Sequence, residues 1–179
     1  NDLLKSVNPG YSGEVVPLRT VGVQGDTRSY RYLALICKEK TDFEWDVLYK
    51  LGREIPNKIE CVNRVAYVLN KNKITGKVKT YNMCINKENL TLLRELDSLV
   101  FKKLNKPVIS QILTVLLPCG IEGKLSMAVR TFITNDFMTG RPAAIGREIP
   151  KESVIELIDE IVHNFKEIDM VLYDISSKP

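Results

Sequence analysis

One histidine, His163, stands among 179 residues, and it falls inside a predicted helix. The four cysteines, at positions 37, 61, 84 and 119, show no CxxC spacing, and none stands on a Gly-x-Cys-x-Gly elbow. Metal ligation and thiol catalysis therefore both lack their residues, and the pattern suits reduced thiols in the cytosol. A phosphate loop is missing too: residues 120–124, Gly-Ile-Glu-Gly-Lys, have neither the spacing nor the following Ser or Thr. No apolar run approaches the ~20 residues of a membrane helix. No signal peptide is evident, although a chain starting at Asn1 reads as a piece of something longer. Aromatics are only 7% and do not interleave with the lysines, which argues against a surface that stacks RNA bases. A net charge of +4, spread along the chain, demands neither a nucleic-acid groove nor a membrane patch.

What remains is 44% hydrophobic, ample for the core of one domain or of two small lobes sharing a core. Residues 1–16, with Pro9, Gly10 and Gly13, read as a connector from an upstream domain. Residues 18–24 and 31–37 form a predicted hairpin around Gly25-Asp26. A helix is expected from Phe43, with Asp42 as N-cap and Val47, Leu48, Leu51 and Ile55 at helical spacing; Pro56 should end or kink it. Residues 64–69 read as a strand, and the lysine-rich residues 70–87 as a surface excursion. A second helix follows over 88–104, strands over 108–116 and 125–133, a third helix over 151–165 and a last strand over 170–175. The expected class is α+β. The order strand–strand–helix–strand occurs twice, over 17–70 and 108–179, with a bridging insertion and its helix at 71–107.

The two stretches can be laid over each other. Ala34 meets Ala128 at an offset of 94, and residues 63–68 (Asn-Arg-Val-Ala-Tyr-Val) meet 169–174 (Asp-Met-Val-Leu-Tyr-Asp). This reads as an internal duplication of one β-β-α-β unit. The copies differ at their ends: the first holds the Gly25-Asp26 turn, and the second closes in Ser-Ser-Lys-Pro at 176–179. A single ligand site kept after duplication would draw on both.

Residues 20–30, Thr-Val-Gly-Val-Gln-Gly-Asp-Thr-Arg-Ser-Tyr, carry the most information. Asp26 can accept from hydroxyls or ring N–H groups, and Arg28 offers a planar fork suited to phosphate. A plain surface hairpin in which the two neutralise each other is the competing reading. Gln111, inside the apolar run 108–117, is either a ligand contact or a satisfied buried amide.

Residues 20–30 together with 171–179, Val-Leu-Tyr-Asp-Ile-Ser-Ser-Lys-Pro, resemble the C-terminal domain of the glutamine-hydrolysing GMP synthase family. Residues 62–65 (Val-Asn-Arg-Val) and 132–140 (Phe-Ile-Thr-Asn-Asp-Phe-Met-Thr-Gly) resemble family segments as well, and single-unit members suggest that this is a longer, duplicated form. The resemblance implies part of a cytoplasmic amidoligase that makes GMP from xanthosine monophosphate (XMP), ATP and glutamine. The glutaminase and ATP pyrophosphatase domains, with ATP and Mg, would lie upstream, so neither a catalytic residue nor a cofactor or metal is expected in this chain. By motif, Asp26, Arg28, Gln111 and Lys178 would contact XMP, and the domain would pair two chains into a homodimer. The family's acidic, tryptophan-containing tail after the Lys-Pro turn has no counterpart here. The alternative is a non-enzymatic α+β dimerisation or small-molecule-sensing module, in which those charges are ordinary surface groups.

Overall fold

Alternating Val, Leu and Ile make strands here, and leucines at helical spacing make the helices that cover them. The computed structural model describes residues 10–24, 27–38, 43–136 and 139–177. In chain order the elements are β1 (Tyr11–Gln24), β2 (Thr27–Lys38), α1 (Trp45–Lys58), β3 (Val62–Val68), β4 (Lys79–Thr80), α2 (Lys87–Leu104), β5 (Gln111–Leu117), β6 (Cys119–Gly120), β7 (Leu125–Phe132), α3 (Lys151–Asn164) and β8 (Ile168–Asp174). The class is α+β, as expected.

Six strands form one mixed sheet in the order β1-β2-β3-β8-β7-β5. Its topology reads the same from either edge. An antiparallel hairpin (β1–β2 or β5–β7) leads through one helix to a strand parallel to the hairpin's second arm (β3 or β8). At the centre β3 and β8 pair antiparallel through Ala66↔Asp174, Tyr67↔Tyr173 and Val68↔Leu172. The correspondence extends to detail. Tyr32↔Val62 steps to Leu33↔Arg64 across an irregularity, as Leu125↔Ile168 steps to Ser126↔Met170. Helices α1 and α3 each have 14 residues, and Leu48, Leu51 and Ile55 are buried on α1 where Val154, Leu157 and Ile161 are buried on α3.

These registers correct the overlay of the hairpins by one residue. Ala34 corresponds to Met127, not Ala128. Ala34 faces the helices and Ala128 the opposite side, and a one-residue slip along a strand exchanges its faces. Residues 11–16, which read as a connector, are the first part of β1, pairing with β2 as far as Lys38 and burying Tyr11 and Val16. Glycine and short polar residues hide a strand whose apolar positions are few. Pro17 falls where β1 skips from Val16 to Arg19, a break in the ladder that tolerates a missing N–H. Pro56 does not stop α1 at once: the helix continues to Lys58, with Pro56 in its last turn.

The three helices cover one face of the sheet, over a core that runs without a break from Leu48 and Leu51 to Leu157 and Ile161. On the other face the excursion between β3 and α2 lays Val78 and Ile74 against Val16, Cys37, Val68 and Met170, and pairs β4 with β6. It covers only part of that face.

Candidate functional site

The β1–β2 hairpin runs past the start of β3, because Tyr32 already pairs with Val62 while the ladder continues to Gln24↔Thr27. Residues 19–24 and 27–31 thus form an arm that projects beyond its neighbour. Asn63 and Arg64, the second and third residues of β3, hold its base. The Asn63 amide donates to the carbonyls of Thr20 (2.8 Å) and Ser29 (3.2 Å), and its carbonyl accepts from the Thr20 hydroxyl. Arg64 Nε donates to the carbonyl of Val21 at 3.1 Å. Gly22 is required by this contact, since a Cβ there would stand 2.8 Å from Asn63 Nδ2.

From the other side the C-terminal segment reaches the same residues. Arg64 Nη1 donates to Asp174 Oδ2 at 3.2 Å, while Asp174 Oδ1 accepts from the Ser176 backbone N–H at 2.9 Å. The Ser176 hydroxyl accepts from Val65 N at 2.8 Å, and Ile175 N donates to Val65 O at 3.0 Å. Ser176 is consequently buried, fixed in place immediately before Ser177 and Lys178. Gly52 of α1 makes room, since a Cβ there would lie 2.3 Å from the Ile175 carbonyl oxygen.

Of the four residues that motif reading singled out, two lie outside the described residues: Asp26 and Lys178. Arg28 is exposed on the arm opposite Val23, and its side chain makes no hydrogen bond or ion pair with another described residue. Gln111 is not a buried amide. It is exposed at the first position of β5, paired with Phe132, and so stands level with the C-terminal segment across β7. Arg28 and Gln111 are not brought together: four strand spacings separate β2 from β5, on the order of 19 Å at ~4.8 Å each. Both nonetheless belong to the same end of the sheet, the C-terminal end of β8.

Sequence reading assigned no role to Arg64, Asp174 or Arg130. Asp174 lies between two guanidiniums, with Arg64 on β3 and Arg130 Nε, on β7, 3.4 Å from the same Oδ2. A signal was available in the paired segments. By strand register Arg64 and Val68 of one half correspond to Met170 and Asp174 of the other, so each half carries one member of a charge pair. Among the described residues no group of His, Cys, Asp and Glu could hold a metal ion. Among the described residues no helix is long and apolar enough to cross a membrane.

No family model matches the chain. GMP synthase [glutamine-hydrolyzing] of Dictyostelium discoideum is 35% identical over 184 aligned residues, 92% of this chain and 26% of the relative. A probable GMP synthase of Caenorhabditis elegans is 31% identical over 94% of this chain, again 26% of the relative. The chain is homologous to part of GMP synthase. It spans about a quarter of the length of these relatives. A probable GMP synthase of Leptospira interrogans is 29% identical over 99% of this chain, 29% of the relative. The GMP synthase relatives thus match throughout the chain, consistent with a C-terminal piece of such an enzyme.

Proposed function

We propose that this chain is the XMP-binding and dimerisation part of a cytoplasmic GMP synthase, built from two copies of one β-β-α-β unit. The glutaminase and the ATP pyrophosphatase, with ATP and Mg, belong to the protein's other domains. Arg28 and Lys178 hold the phosphate of XMP, in one protomer or across two, and Asp26 and Gln111 orient the nucleotide. A phosphate near −2 calls for at least two cationic donors, and neutral or acidic polar groups then fix its direction.

The observation that carries this reading is the convergence on β3. The arm with Arg28 and the segment leading to Lys178 are each tied to Asn63-Arg64-Val65. Two motifs separated by most of the chain thereby share one frame. Arg64 is the positioning residue, since its guanidinium bonds to both.

In the full-length enzyme, Arg28→Ala and Lys178→Ala should each raise KM for XMP about tenfold, the scale of one charge-assisted contact. Glutamine hydrolysis should stay competent. Unchanged nucleotide kinetics in both variants would contradict the assignment, and a strictly monomeric protein in sedimentation would contradict the dimer.

A further inference from the structure

The part of the sheet face that the excursion leaves open contains a cavity of about 390 Å³. Its floor is the Arg64–Asp174–Arg130 cluster, and its walls are Leu18, Leu33, Val115, Leu117 and Ala128. This volume is within the range of small-ligand pockets, and the mixture is the one such pockets show: apolar walls with a few convergent polar groups. The charges do not cancel, because two guanidiniums share one carboxylate. That carboxylate is already occupied, with Asp174 only 8% exposed and its second oxygen taken by Ser176 N–H. Arg64 has spent its Nε on Val21. The buried Arg130 Nε, 3.4 Å from Asp174 Oδ2, makes an ion pair without a hydrogen bond, and its guanidinium rests over the Phe132 ring, 4.3 Å from the centroid.

The equivalent place in the other half argues that these charges are not architectural. Where the open half has Arg64, Arg130 and Asp174, the covered half has Met170, Cys37 and Val68, packed beneath Val78. The same sheet is completed there with apolar groups and a lid of its own chain. Burial, and then the charge of Arg64, pull the Arg130 guanidinium down to about 10, the mark of a cation that lacks full compensation. Val115, in the wall, and Leu113, two residues before it on β5, both leave apolar surface in water.

We propose that this open half of the sheet face is a binding site for a small aryl oxyanion, its charged end on Arg130 and Arg64 and its flat body against Leu33, Val115 and Leu117. A second copy of the chain laid on the same face would bring two positive floors together, so the charge selects an anion as occupant. The cavity borders the base of the arm through Arg19, Thr20 and Val21, but Arg28 does not line it.

The test is calorimetric titration of the full-length protein with phenyl phosphate, inorganic phosphate and phenol. Phenyl phosphate should bind about tenfold or more tighter than either fragment, because only it satisfies both floor and walls. Arg130→Met should weaken it about tenfold or more. Val115→Glu should do the same by lending the site an internal carboxylate from the exposed wall, and it decides the matter if the floor variant fails to fold. Binding that survives Val115→Glu, or survives in a folded Arg130→Met protein, overturns the proposal. So does equal affinity for inorganic and phenyl phosphate, or no binding at millimolar concentration. Loss only in Arg28→Ala would overturn it as well, placing the anion on the arm and leaving the nucleotide reading intact.

Discussion

At the scale of single residues, two glycines set the geometry of the candidate site, and for different reasons. Gly52 lies on the buried side of α1, and its missing side chain lets the Ile175 backbone come close. A methyl there meets a carbonyl oxygen at 2.3 Å, and neither the helix nor the backbone just after β8 can give way cheaply. Gly52→Ala should therefore cost about 3 kcal/mol, at the upper end of overpacking, read as a lowered urea midpoint. At Gly22 the obstacle is the Asn63 side chain, which can rotate. Gly22→Ala should cost only about 1 kcal/mol by displacing the amide from its two carbonyls. If the arm is the nucleotide arm, the same change should raise KM for XMP out of proportion to that small loss. Equal stability losses for the two glycines would show that the close approach at Ile175 is not rigid.

At the scale of elements, an ion pair inside the connection between β7 and α3 helps to hold it. Arg141 Nη2 lies 2.5 Å from Glu148 Oε1, and Ala144 N donates to Glu148 Oε2 at 2.6 Å. Arg141 also donates to the Tyr49 hydroxyl, which in turn donates to the Pro142 carbonyl, so α1 is tied to the same loop. The Arg141 hydrogen bond, assisted by Ala144 N–H and opposed by burial, holds the Glu148 carboxyl below its ordinary range. A depressed acid stabilises the fold above its unfolded-state pKa and loses that contribution as pH falls through its folded value. Glu148→Gln should thus cost about 1 kcal/mol at pH 7, with half of the Arg141 side chain in water limiting the figure, and the difference from the parent should vanish in acid below the carboxylate range. A difference that persists there would mean that the pair does not hold the loop. Sequence reading found most elements on this scale, because leucine spacing and β-branched alternation mark them directly. It missed residues 11–16, where the strand gains its stability from pairing with β2 and not from its own composition. It also could not see Arg64, Asp174 and Arg130 as a cluster, since only the pairing of β3, β8 and β7 places them side by side. Residues 18–24 and 31–37 were legible as the two arms of a hairpin because their apolar and β-branched alternation is local. Gln111 looked buried because its neighbours in sequence are apolar, yet it begins a strand at the exposed edge of the sheet.

At the scale of the whole molecule, the two halves are joined by a seam of only three paired residues on each side, but their core is shared. The Trp45 ring, on α1 of the first half, meets Tyr173 of β8 edge-on at 5.6 Å between centroids. The Tyr173 hydroxyl donates to the Ala143 carbonyl at 2.6 Å and hydrogen-bonds with Thr131. Removing either half would expose the apolar face of the other, at about 25 cal/mol for each Å² uncovered. The halves should therefore unfold together. Trp45, the only tryptophan, reports the first half through its fluorescence, while Cys119, buried on β6, reports the second through pulsed thiol labelling. Burial pushes the Cys119 thiol up to about 11, so at pH 8 it is protonated and closed to reagent until its surroundings open; Cys61 and Cys84 are exposed and label at once. Raised in this way, the thiol favours the fold below an unfolded-state pKa of about 9, and that support fades as pH climbs towards 11. With Cys37 replaced by Ala, Cys61 and Cys84 by Ser, and urea titrated at pH 8, the fluorescence and labelling midpoints should coincide. Labelling of Cys119 at lower urea than the Trp45 transition would mean that the second half opens alone, and that two halves sharing one sheet do not make one cooperative unit.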